Sequence, residues 1–244
     1  MKKIFLIITS CIATLSVWAY DFMVDNIYYS VLDSNALAVA KSPSGDNQYQ
    51  GDIVIPSIVE YNGKNYIVRE ISESAFSQNF KVKSVVLPDS LLYIRRSAFF
   101  NTPIDGHLII PDKVVVIEDY AFSNCLRMAK LTIGDGVEII GKGAFEGCTS
   151  LTAINIPSNV SSIGDCAFES CTNLTEVIIE DRKMNLHLGS NDSSPLFSDC
   201  PLDSVYIGGN ISYDTSSSKG YSPFYRNTSL RSVVITDKEE EISD

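Results

Sequence analysis

Apolar residues recur along this chain with a long, fixed period rather than with the 3.6 of a helix or the 2 of an isolated strand. The dipeptide Ala-Phe appears at Ala75-Phe76, Ala98-Phe99, Ala121-Phe122, Ala144-Phe145 and Ala167-Phe168, with the same step from each Phe to the next. Counted from each Phe, position +6 is Val82, Met128, Leu151 and Leu174, and position +9 is Val85, Leu108, Leu131, Ile154 and Val177. Position +11 is Leu87, Ile110, Ile133, Ile156 and Ile179. Position +15 is Leu91, Val114, Val137 and Val160, and +18 is Ile94, Ile117, Ile140 and Ile163. The step is roughly 23 residues, and self-similarity at such a period marks a stack of equivalent units.

Each unit predicts the same elements. Leu-x-x-Ile-x-Ile followed by Pro reads as a short strand with alternating faces, ended by a residue that cannot extend a ladder. Val-x-x-Ile-Gly reads as a second short extended run with a corner. The remaining stretch, from Ala-Phe to Leu, has room for one helical or 3₁₀ turn. About six apolar side chains per unit, at about 1.5 to 3 kcal/mol each, do not offset the ordering of a whole unit's backbone at about 1 to 2 kcal/mol per residue. Stacking is therefore obligatory, and the expected fold class is a repeat solenoid. It is a right-handed, β-rich superhelix with parallel short-strand sheets, one-turn helices and an N-terminal β cap.

The regular rungs span about 72–180. Beyond Phe168 the spacing widens to Phe197 and Phe224, with Leu202-x-x-Val205-x-Ile207 and Leu230-x-x-Val233-x-Ile235 still recognisable. Rungs carrying inserted loops, Asp181 to Ser194 and Gly208 to Ser222, are thus expected over 181–244. Upstream, Ile53-Val54-Ile55-Pro56 opens the solenoid at residue 53, and Asn62-Gly63 between Tyr-rich runs predicts a hairpin. Residues 20–52, with Ile27 to Val31, are expected to form the cap. Aligned on Phe224, Ile242 and Ser243 fall in the +18 and Gly columns, so the array is either cut inside a rung or guarded by Asp237-Lys238-Glu239-Glu240-Glu241. Residues 1–19, with Lys2 and Lys3 before the apolar run Ile4 to Val17 and then Trp18-Ala19, are expected to be a signal peptide cleaved after Ala19. A competing reading makes Ile8-Thr9-Ser10-Cys11 a lipoprotein box acylated at Cys11.

At Ala-Phe-x-x-Cys-x-x-Leu-x-x-Ile-x-Ile-Pro-x-x-Val-x-x-Ile-Gly, clearest from Ala144 to Gly164, the sequence resembles the BspA-like leucine-rich-repeat surface proteins of anaerobic gut and oral bacteria. The resemblance covers about residues 50–242. It implies a non-enzymatic interaction scaffold, with adhesion to host proteins or other cells among the family's known roles, and no catalytic residues to carry over. The array is short, and no C-terminal surface-anchoring domain is evident.

Composition narrows the partners. Without Lys2 and Lys3 the chain holds 17 basic and 30 acidic side chains, a formal charge of −13, which disfavours nucleic acid and anionic membranes. No later segment is long and apolar enough to span a bilayer. Cys125, Cys148 and Cys171 share column +3, with Cys200 in the same place after Phe197 and Cys166 outside it. The expectation is a buried packing column, with no metal and no essential disulfide, since the chain has no CxxC. His107, at +8 on an exposed strand face, and His187, in an inserted loop, are expected to lack nucleophile or base partners. Ser216-x-x-Lys219 lies in a serine run without companion motifs. Asn159, Asn173, Asn191, Asn210 and Asn227 head Asn-x-Ser/Thr triplets, which here reflect rung corners. Asp89-Ser90-Leu91 and Asp203-Ser204-Val205 resemble an O-glycosylation acceptor. No catalytic residue, cofactor or metal is expected.

Column +10, on the strand face opposite the core, holds Val86, Ile109, Thr132, Asn155, Ile178, Tyr206 and Val234. A solvated strand face is mostly polar, so this apolar column is either a partner-binding face or a product of β-propensity. Val86, Ile109, Ile178, Tyr206 and Val234, with Tyr221 in the adjacent loop, are the candidate contact residues. Column +17, with Tyr93, Val116 and Ile139, is similar. The expected function is a cell-surface or secreted protein mediating adhesion or recognition of a protein or glycan. The alternative is a periplasmic or envelope assembly component.

Overall fold

The computed structural model describes residues 20–43, 49–189, 195–212, 223–224 and 227–236. The expected leader 1–19 with Cys11, the residues Asn191, Ser216, Lys219 and Tyr221, and the run 237–244 lie outside the described residues. The chain is a β-solenoid. Each rung contributes one longer strand, β7 (Val82–Val86), β9 (Gly106–Ile109), β11 (Met128–Thr132), β13 (Ala153–Ile156), β15 (Glu176–Ile179), β17 (Ser204–Gly208) or β19 (Ser232–Thr236). It also contributes one short strand, β8 (Tyr93–Ile94), β10 (Val116–Ile117), β12 (Ile139–Ile140), β14 (Ser162–Ile163), β16 (Leu186–Leu188) or β18 (Ile211–Ser212). The short strands pair in parallel, in register, with Ile94, Ile117, Ile140, Ile163 and Leu188 in one line, while the longer strands pair in parallel as β4–β7, β9–β11 and β13–β15–β17–β19.

The N-terminal end is antiparallel where the rungs are parallel. Strands β1 (Phe22–Val24), β2 (Ile27–Val31) and β3 (Ala36–Val39) form a meander, and β3 then pairs in parallel with β6 (Lys64–Ile71). The expected hairpin joins β5 (Ile58–Tyr61) to β6, with Asn62 and Gly63 both at positive φ, as a tight turn of that type needs. Strand β4 (Gly51–Val54) pairs in parallel with β7. Tyr49 lies 4.4 Å from Phe76, and its hydroxyl donates to Ala40 O. An aromatic spine continues through Phe99, Phe122, Phe145, Phe168, Phe197 and Phe224, with ring centroids 4.8 to 5.5 Å apart and planes within 13° of parallel. The constant period therefore places one ring over the next.

No helical turn forms around these rings among the described residues, which corrects the expected one-turn helices. Residues two before and two after the Phe adopt left-handed φ: Ser74 and Gln78, Ser97 and Asn101, Tyr120 and Asn124, Gly143 and Gly147, Cys166 and Ser170. A left-handed residue every fourth position stops a right-handed helix from propagating. It also turns alternate N–H groups toward the next rung: Ser97, Phe99 and Asn101 donate to the carbonyls of Asp119, Ala121 and Ser123 at 2.7 to 2.9 Å, and the other rungs repeat this. The N–H groups between them close single local turns, such as Phe100 to Ser97 O and Thr102 to Phe99 O, so rung-to-rung bonds alternate with isolated turns instead of a helix.

Position +3 is a donor column rather than only a packing column. Thr102 Oγ1 donates to Phe76 O at 2.6 Å, Cys125, Cys148, Cys171 and Cys200 donate from Sγ to the Phe carbonyl of the preceding rung at 3.0 to 3.3 Å, and Asn227 Nδ2 does so at 3.1 Å. Cys, Thr and Asn share little except a small donor. All five described cysteines are buried free thiols. Burial pushes the Cys148 thiol up to about 12 and the Cys125 thiol well above its ordinary value, so each keeps its proton.

The inserted rungs are also more regular than the sequence suggests. The segments 181–194 and 208–222 each contain a rung strand, β16 and β18, paired as Leu186↔Ile211 and His187↔Ser212. His187 accordingly stands on a strand rather than in a loop. Leu188 fills the core column that Ile163 fills below it, and leaving that column empty would open the core. At the first widened corner Arg182 is buried, and its guanidinium donates to Val160 O and to Pro157 O.

Candidate functional site

Strands β4, β7, β9, β11, β13, β15, β17 and β19 line one long side of the solenoid. Alternation along each strand buries positions +9 and +11 and turns positions +8 and +10 to solvent. The register Val54↔Val86 adds Val54 to the +10 column at its N-terminal end. Sequence reading missed this residue, although aligning Pro56 with Pro88 would have found it. The register also places Ile109 beside Thr132 and runs Asn155, Ile178, Tyr206 and Val234 in one line.

Exposure separates this column from a covered one. Val54, Val86, Ile109, Ile178 and Val234 are 64%, 56%, 55%, 36% and 46% exposed, and Tyr206 is half-buried. The two polar members are tied to their neighbours. Thr132 Oγ1 lies 2.8 Å from His107 Nε2, and Asn155 Nδ2 donates to Glu180 Oε1 at 2.5 Å. Tyr206 donates its hydroxyl to Asp181 Oδ1 at 2.7 Å, which fixes the ring on the face. The column thus presents an apolar triad, two polar residues and a second apolar triad.

Strands β11 and β13 lie side by side without forming a ladder. A hollow of about 420 Å³ opens there, lined by Lys130, Thr132, Thr152, Ala153, Asn155 and Ile178. Ala153 is the small residue in a +8 column that carries Lys130 and Glu176 on either side. Flanking ion pairs join Arg127 to Asp105 at 2.7 Å and Arg231 to Asp203 at 3.4 Å. Such exposed pairs add little stability, so their effect here is on the sign of the surface.

The opposite sheet carries Tyr93, Val116 and Ile139 on successive short strands. Arg95 packs over the Tyr93 ring at 4.6 Å and bridges Glu70 and Glu118 at 2.6 and 2.8 Å, which covers much of that column with charge. His187 has a hydroxyl neighbour that sequence did not indicate: Ser212 Oγ is 3.5 Å from its Nδ1, and Asn185 Nδ2 donates to the same oxygen at 2.7 Å. Among the described residues no carboxylate is hydrogen bonded to this imidazole, so the pair lacks the orienting third group of a nucleophilic triad. Ser90 is buried with its hydroxyl donated to Val68 O at 2.7 Å, which removes it as a glycosylation acceptor. No described cluster of three or more His, Cys, Asp or Glu is placed to hold a metal ion, and no described helix is long and apolar enough to cross a membrane.

These features define a leucine-rich-repeat solenoid whose distinctive surface is an exposed, partly apolar sheet face. Residues 69–193 match the BspA type leucine rich repeat region in six copies, and the chain belongs to that family. The Treponema pallidum leucine rich repeat protein is 21% identical, covering 67% of this chain and 83% of that one with a TM-score of 0.52. The pneumococcal vaccine antigen PcpA is 18% identical, covering 86% of this chain and 48% of that one with a TM-score of 0.50. A Bacteroides ovatus leucine-rich repeat protein is 20% identical over 89% of this chain and 77% of that one, with a TM-score of 0.39. At these identities the likeness to the Treponema and pneumococcal proteins concerns the fold. No curated protein matches the chain.

Proposed function

We propose that this protein is exported and acts without catalysis, binding a macromolecular partner in adhesion or recognition through the face that carries the +10 column. The observation that supports this most is the column itself. Six of its eight members, Val54, Val86, Ile109, Ile178, Tyr206 and Val234, are aliphatic or aromatic on a side that solvent reaches. β-Propensity alone would serve as well with Thr, and apolar atoms gathered in one exposed line are what interfaces use. The leader read in residues 1–19 supports export, and the surface roles known in BspA-like proteins support adhesion.

The test compares the purified protein with an Ile178→Lys, Tyr206→Lys, Val234→Lys triple variant in a pull-down of extracellular proteins. Circular dichroism first establishes that the variant is folded. Loss of the captured proteins by the folded variant is the expected result. Equal capture by both assigns binding to another face and ends this reading.

A further inference from the structure

The order of residues in the +10 column carries more than its apolarity. Read from the N-terminal end it is Val54, Val86, Ile109, Thr132, Asn155, Ile178, Tyr206, Val234. The sequence of types is three apolar, two polar, three apolar, which is the same read from either end. We propose that the partner of this face is a second copy of the same chain, docked sheet to sheet with its solenoid axis reversed. The proposal rests on the reading of this face as the binding surface and names its occupant.

A two-fold axis lying between the two sheets, parallel to the strands and level with the gap between β11 and β13, generates the pairing. It sets Val54 against Val234, Val86 against Tyr206, Ile109 against Ile178 and Thr132 against Asn155. Each apolar residue meets an apolar one, and the two polar residues meet at the centre. A two-fold contact must be self-complementary in this way.

The flanking charges follow the same symmetry. Because the axis runs along the strands, each position meets its own column, and the residues beside +10 pair across the interface. In the +8 column Ser84 of one copy faces Ser204 of the other, and His107 faces Glu176. Asp52 faces Ser232 and lies beside Arg231, the residue just before β19. At the centre the long Lys130 faces Ala153, the floor of the hollow between β11 and β13. Juxtaposed like charges would oppose this docking, and within the +8 and +10 columns no facing pair is of like sign. Reversing the strands instead of the axis would bring position +8 against position +12 and lose the match.

The area is sufficient. Eight strands about 4.8 Å apart and about 13 to 17 Å long give about 500 to 600 Å² per copy, or about 1,000 to 1,200 Å² in total, at the lower edge of a stable interface.

Two measurements on the purified protein test this. Sedimentation velocity should show a dimer that Ile109→Glu weakens and that Ile109→Glu combined with Ile178→Lys restores. Cross-linking then fixes the geometry. A mixture of Ile109→Cys and Ile178→Cys chains, treated with a short bismaleimide that spans the roughly 10 Å between facing sheets, should join residue 109 of one to residue 178 of the other. Either variant alone should cross-link poorly, because like residues sit three rungs, about 14 Å, further along the sheet in addition to the gap between sheets, out of reach of so short a linker. A monomer at about 100 µM, where a Kd near 1 µM would give almost full pairing, overturns the proposal. So does Ile109→Cys self-linking as efficiently as the mixture. Neither result touches the binding-face reading, which stands or falls on capture by the folded triple-lysine variant.

Discussion

Replacing Cys148 separately by Thr and by Val isolates the chemistry of the +3 column, because the two side chains have nearly the same shape and differ by one hydroxyl. In the structure Cys148 is fully buried, and its Sγ lies 3.3 Å from Phe122 O. The same carbonyl already accepts the Cys125 N–H at 3.2 Å, so the thiol supplies a second bond rather than the only one. Thr102 makes the equivalent bond from Oγ1 at 2.6 Å, which shows that a β-branched hydroxyl fits the site. A net hydrogen bond contributes about 1 kcal/mol. If the column is a donor column, the Thr variant is therefore more stable than the Val variant by about that amount. If the column is only apolar packing, burying the hydroxyl costs about 1 to 3 kcal/mol and the order reverses. With a urea dependence of about 2 kcal/mol per molar, the two midpoints should differ by about 0.5 M, a gap that far-ultraviolet circular dichroism resolves. A Val variant with the higher midpoint would refute the donor reading.

Truncating Phe145→Ala removes a ring held between Phe122 and Phe168, each 5.4 Å away, and should lower stability by about 3 to 5 kcal/mol. A urea midpoint unchanged from the parent would take Phe145 out of the spine. Glu169 stands half-buried near Glu146 and Asp199, and burial followed by those charges holds its carboxyl above the usual carboxylate range. An acid raised in this way stabilises the fold below its unfolded value and loses that contribution as pH rises through the folded value. Glu169→Gln should therefore raise the urea midpoint at pH 7, with the gain vanishing below the carboxylate range. A gain of equal size at pH 3 would exclude the electrostatic cause.

The stacking of rungs, the core columns and the exposed +10 column were legible in the sequence, because each follows from a period and from the alternation of a strand. The aromatic spine was legible for the same reason: residues separated by one whole rung must lie over one another. Even the hairpin at Asn62-Gly63 is local chemistry, since both residues tolerate positive φ. Other features depended on partners distant in sequence. The left-handed residues flanking each Phe replace the expected helical turn only because the next rung offers carbonyls to their neighbours' N–H groups. Cys at +3 reads as a small hydrophobe until Phe122 O and its equivalents are seen beside it. His187 passed for a loop residue because the corner before it is lengthened, and only the pairing of Leu188 beside Ile163 identifies its strand. Val54 joined the exposed face through its register with Val86, across an intervening hairpin. Local pattern fixes what a segment can form and which side it buries. Which donor meets which acceptor, and which column a displaced segment fills, is decided by contacts between rungs.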